Sequence, residues 1–107
     1  MSNTNYKMPN FDKYHRAIST RITTLSYLLA RKNGHDQNWL IEQSGIDPTE
    51  FKRMEFCYDP KNQESLKQMI SWLKQKESVI QDFNKNLSQE RYDNDYPPLS
   101  IFDDLFN

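Results

Sequence analysis

The sequence predicts an all-α fold, a small bundle of four or five helices. Apolar residues recur at alternating threes and fours along most of the chain, the period of a helix buried on one face. Only two glycines occur in 107 residues, and each falls between such runs rather than inside one. The runs themselves are rich in Leu, Lys, Gln, Glu and Met, all good helix formers. This length suits one domain, not two. The apolar fraction of 36% and mean hydropathy of −0.98 are low, so part of the chain is expected outside the core.

Taken in order, residues 1–9 are polar and are expected to be a disordered N-terminus. The domain proper is expected over 10–88. Phe11, Tyr14, Ile18, Ile22, Leu25, Leu28 and Leu29 share one helical face. Thr20, Thr23 and Thr24 weaken the middle of that helix, which leaves a break near residues 19–21 open. Asn33 and Gly34 stop it, after Arg31 and Lys32 in the last turn, where cations suit the helix dipole. Asp36 is placed to cap a second helix that ends at Ser44 and Gly45. Asp47 as N-cap and Pro48 at the first helical position open a third, over 48–56. A turn follows at 57–60, because a residue before proline avoids the helical region. Trp39, Phe51, Met54 and Trp72 read as core residues.

Asn62 can cap a long last helix carrying Leu66, Met69, Leu73, Ile80, Phe83 and Leu87. Those positions form a heptad seam interrupted once, at Lys76. Its second half, Ile80 to Leu87, is expected to project from the bundle and to need an apolar cover. The first helix could supply it, or a second copy of the protein. Residues 89–107 read as an acidic, aromatic tail. Residues 91–98 form its polar linker, stiffened by Pro97 and Pro98. Ile101, Phe102, Leu105 and Phe106 then sit beside Asp103 and Asp104. Such a terminus is either a flexible solubilising end or a short motif laid in a partner's groove, and the apolar residues favour the motif.

Composition narrows the function classes. The net charge is −1, but acids gather from Glu90 onward, which leaves the rest of the chain about +3. That is a weak footprint for a nucleic-acid binder. Cys57 is the single cysteine, so neither an intramolecular disulfide nor a cysteine metal cluster can form. His15 and His35 lack partners at metal-binding spacing, and no cofactor is expected. No membrane-spanning stretch or signal-peptide core occurs, so a reducing cytoplasm is the expected compartment. No nucleophile triad, Gly-rich phosphate loop or paired-carboxylate site stands out, and the chain does not read as an enzyme.

One family resemblance emerges from these elements. Arg31, Lys32, Asn33 and Gly34 precede Gln37, which opens an eight-residue helical stretch ending before Gly45. Ile46, Asp47, Phe51 and Glu55 follow at the spacing of a glycine turn and a second helix. Leu66, Met69, Ile70 and Leu73 supply a covering helix. Residues ~22–73 thus resemble the Cro/C1-type, or XRE, helix-turn-helix domain, whose fold is lambda-repressor-like. The chain departs from that pattern with His35 for an apolar residue, Ile41 for a small one, Pro48 for a polar base reader, and no glycine near Cys57.

The resemblance implies double-stranded DNA as ligand, with the helix at 48–56 in the major groove. Gln37 and Asn38 would then lie near a phosphate. Thr49 and Arg53 would face base edges, with Lys52 beside them or on the backbone. Arg31, Lys32 and Lys61 are the implied phosphate contacts. Glu50 and Asp47 are expected near the groove face, where carboxylates repel phosphates. The leading expectation is a bacterial or phage transcription regulator, a repressor acting as a homodimer through Ile80, Phe83 and Leu87. The alternative is a protein-binding inhibitor, adaptor or antitoxin. It would act through a bundle face or through residues 99–107, where Ile101, Phe102, Leu105 and Phe106 would hold the partner.

Overall fold

The computed structural model describes residues 11–105. The expected disordered segment at 1–9, Phe106 and the side chain of Leu105 lie outside the described residues. Those residues hold six α-helices and a C-terminal 3-10 helix, and no strand. The α-helices are α1 (Phe11–Asn33), α2 (Gln37–Ser44), α3 (Pro48–Glu55), α4 (Gln63–Gln75), α5 (Glu77–Phe83) and α6 (Gln89–Asp95). The 3-10 helix spans Leu99–Leu105.

α1 is the central element, in contact with every other helix. It runs unbroken through its threonines, and the hydroxyls of Thr20 and Thr24 are both bonded. Thr20 donates back to the Arg16 carbonyl at 2.6 Å, and Thr24 bonds the Tyr96 hydroxyl at 2.8 Å. The Thr20 bond is an i−4 bond made within helical backbone, and the Thr24 bond joins α1 to the segment after α6. The buried face of α1 carries Ala17, Ile18, Ile22, Leu25 and Leu29. Against it pack Leu40, Ile41, Ile46, Phe51, Met54, Met69, Trp72 and Leu73. The local stops and starts fall where the capping residues stand. Asp36, Asp47 and Asn62 each accept from an amide of the helix they open, and Gly34 and Gly45 take positive φ.

The last third of the chain differs from expectation in three ways. The long last helix is bent at Lys76 into α4 and α5; the Lys76 amide bonds back to Trp72 and Leu73, and its carbonyl accepts from the Val79 and Ile80 amides. The bend carries Ile80 into the core, where it is 0% exposed. The expected seam through Ile80, Phe83 and Leu87 therefore does not exist as one surface. Ile80 is internal, Leu87 is half-buried, and Phe83 alone is exposed.

The expected linker is helix α6. Ser88 caps it by accepting from the Arg91 amide at 3.1 Å, and Tyr92 and Tyr96, one turn apart, stack with centroids 4.8 Å apart. The expected flexible tail also packs down. Leu99 and Phe102 are buried, Ile101 lies against the same core, and the Phe102 ring sits 5.2 Å from that of Tyr14. Ile101 and Phe102 thus serve this chain's own core and are not free to anchor a partner. Trp39, expected in the core, is 36% exposed, because α2 buries Leu40 and Ile41 and the preceding position falls off that face.

A buried polar network holds this last third in place. Arg21, 1% exposed, forms a two-pronged bond to Glu77 (2.8 and 3.0 Å). It also donates to the carbonyls of Ala17 (2.9 Å) and Pro97 (2.7 Å). The Tyr92 hydroxyl donates to Glu77 at 2.7 Å. Burial by itself would raise the Glu77 carboxyl, but the Arg21 guanidinium and the Tyr92 hydroxyl outweigh it and hold the group below its usual range. Burial, then the bond to Glu77, pushes the Tyr92 phenol well above its usual range.

Two outcomes follow. Phe102→Ala removes a ring that is 2% exposed and should cost ~3–5 kcal/mol in urea unfolding, where a loose tail would show no change. A carboxyl depressed in the folded state stabilises fully above its unfolded pKa of about 4.3, and that stability is lost as pH falls through the folded pKa. Urea midpoints should therefore stay flat from about pH 7 to 5 and then drop. Glu77→Gln should lower the neutral-pH plateau and flatten the acid limb.

Candidate functional site

α3 buries one face and exposes the other. Glu50, Phe51 and Met54 point inward. Thr49, Lys52, Arg53 and Phe56 follow the i, i+3, i+4, i+7 spacing of a single outer face; Arg53 is partly covered and the others are exposed. α3 is set by the three-residue connection 45–47. Gly45 at φ 71° ends α2, and Asp47 caps α3 by accepting from the Glu50 amide at 3.2 Å. A β-carbon at Gly45 would meet nothing within 4 Å, so its backbone angle, not crowding, is what calls for glycine.

Glu50 does not lie at the outer face. It turns under the helix, accepting from the Asn62 amide at 2.7 Å and the Lys61 amide at 3.0 Å. The Lys61 amide holds its carboxyl below the usual range against the opposing effect of burial, and the Asn62 amide and the Ser65 hydroxyl assist. Glu50 therefore fastens the loop between α3 and α4. Its sequence neighbours gave no sign of this, since the loop amides it binds are eleven and twelve residues away.

Gln37 is likewise a strut. Its amide donates to Ser26 (3.1 Å) and Glu55 (2.8 Å), and its oxygen accepts from Lys52. Both ends of the Gln37 side chain are thus engaged inside the protein, and Lys52, which also lies 3.4 Å from Glu55, is held over the junction of α2 and α3. Asn38 is exposed beside it.

The C-terminus of α3 closes as a Schellman turn. The Tyr58 amide bonds the Arg53 carbonyl at 2.8 Å and the Cys57 amide bonds the Met54 carbonyl at 3.3 Å. Cys57 takes φ 67°, where glycine is usual, and is the one non-glycine among the described residues with positive φ. The turn leaves Phe56 and Tyr58 exposed. Arg53 lies over the Tyr58 ring at 5.8 Å and donates its Nε proton to the Asp59 carbonyl at 2.8 Å. Its terminal amino groups remain as a planar donor pair. Lys61 is exposed on the following loop.

Of the residues expected to contact DNA, Thr49, Lys52 and Arg53 thus share one face, and Asn38 and Lys61 lie on the adjoining elements. Arg31 and Lys32 stand apart from this group. They line a recess between α1 and α5 with Tyr27, Val79 and Phe83.

Glu50→Ala should destabilise the protein by ~1.5–3 kcal/mol, the scale of hydrogen bonds to a charged acceptor. Chemical denaturation reads it; an unchanged midpoint would mean that the carboxylate does not hold the loop. In comparisons with family models, curated proteins and solved structures, this chain matches none.

Proposed function

We propose that this protein binds double-stranded DNA through the outer face of α3 and regulates transcription by occupying its site. The observation that carries this reading is the outer face itself: a hydroxyl, an ammonium and a guanidinium at helical spacing, with the one carboxylate of the helix's first turn, Glu50, folded away beneath. A short helix presented across a tight turn can enter the major groove while the preceding helix crosses the backbone. Arg53 is ordered by Asp59 and Tyr58, and its free amino pair matches the two acceptors on the major-groove edge of guanine. Lys52 and Lys61 suit phosphates, which position a protein without reading sequence. Thr49 can contact a base edge or a thymine methyl group.

Selection of the full chain against random duplexes, followed by anisotropy titration at two salt concentrations, tests this. Arg53→Ala should relax the preference at one base pair by ~1–3 kcal/mol. Lys52→Ala should weaken all duplexes alike and reduce the slope of log K against log salt by about 0.9. Failure to enrich any duplex at low salt, or unchanged selectivity in Arg53→Ala, would overturn the assignment.

A further inference from the structure

A second surface lies on the other elements of the fold. Two recesses meet along α1, α2 and α5. One, of about 330 Å³, is bounded by Tyr27, Leu28, Arg31, Lys32, Asp82 and Phe83. The other, of about 250 Å³, reaches from Leu28 and Val79 to Trp39 and Leu40. Leu28, Lys32 and Val79 line both, so the two are continuous. Of the six large apolar side chains exposed among the described residues, four belong here: Tyr27, Trp39, Val79 and Phe83. Val79 and Phe83 are one turn apart on α5, and the Phe83 ring meets the edge of Tyr27 at 5.8 Å. A contiguous apolar face of this kind, rimmed by charge, is characteristic of a binding surface.

The rim selects the occupant. Arg31, Lys32 and Lys76 border the groove, against the single acid Asp82. We propose that this groove docks an acidic amphipathic helix of a partner protein, its apolar stripe on Tyr27, Leu28, Trp39, Val79 and Phe83 and its carboxylates toward the three cations. A helix fits better than an extended peptide. A strand draws its affinity from a sheet edge, and no strand occurs among the described residues. A second copy docked by the same face would set three cations of one rim against three of the other, with only one Asp82 per copy to offset them. No residue of α3 lines the groove, so the inference does not rest on DNA binding.

The test is a display library of helical peptides of roughly four turns, randomised in sequence and selected against the full chain. Enriched peptides should carry apolar residues at i, i+3 or i+4, and i+7, with net negative charge. Phe83→Glu should weaken them about tenfold or more, and Lys32→Glu should weaken them in a salt-dependent way. Both positions are exposed, so circular dichroism should stay native and the thermal midpoint should fall only slightly, by the loss of a favourable charge at a helix C-terminus; Val79→Arg is the second variant should Phe83→Glu perturb the fold. Enrichment of basic or neutral peptides, no enrichment, or binding indifferent to substitutions on this face would overturn the proposal. Sedimentation decides the remaining case. A wild-type dimer that Phe83→Glu converts to monomer would make a second copy the occupant, and the proposal would fail.

Discussion

The fold depends on the pairing of one buried cation, Arg21. Arg21 sits in the middle of α1, inside an otherwise apolar core. An unpaired guanidinium there would be prohibitively unstable, because water is not available to solvate it. The chain meets that constraint with groups from three later segments. α5 supplies Glu77, α6 supplies the Tyr92 hydroxyl that completes the carboxylate's own bonding, and the segment after α6 supplies the Pro97 carbonyl. The bend at Lys76, the return of α6 and the docking of the 3-10 helix are geometrically one event. Removing one partner from such a set is costly, whereas the intact set chiefly specifies arrangement.

The same principle operates under α3. Glu50 and Gln37 are polar residues whose partners are distant in sequence, and each joins two elements rather than facing solvent. Their inward orientation determines what is left outside. The outer face of α3 is what remains once Glu50, Phe51 and Met54 turn inward: Thr49, Lys52, Arg53 and Phe56. This is why a helix with two carboxylates and a proline can still present a cationic, hydrogen-bonding ridge. The groove of α1 and α5 arises by the complementary route. There, apolar residues exceed what the small core can cover, and cations gather at their border.

The two surfaces share α1 and α2 as their floor. α2 carries Asn38 toward the first and Trp39 toward the second.

Much of the first two thirds was legible in the sequence by itself. Asp36, Gly45, Asp47, Pro48 and Asn62 mark helix ends by local chemistry, a cap or a backbone angle that the neighbouring residues already determine. The apolar period identified most of the core, since burial on one face requires it. The tertiary structure alone decided the rest, because there the partners are far apart along the chain. Periodicity could not reveal that Ile80 turns inward, since an interrupted heptad serves a protomer's core as well as a dimer seam. Polarity misled at Glu50 and Gln37, whose burial depends on amides and side chains brought near only by folding. The acidic tail looked detached because its anchors, Arg21 and Tyr14, lie more than seventy residues upstream of Pro97 and Phe102. Caps and periods are properties of neighbouring residues. Satisfaction of buried polar groups belongs to the assembled molecule.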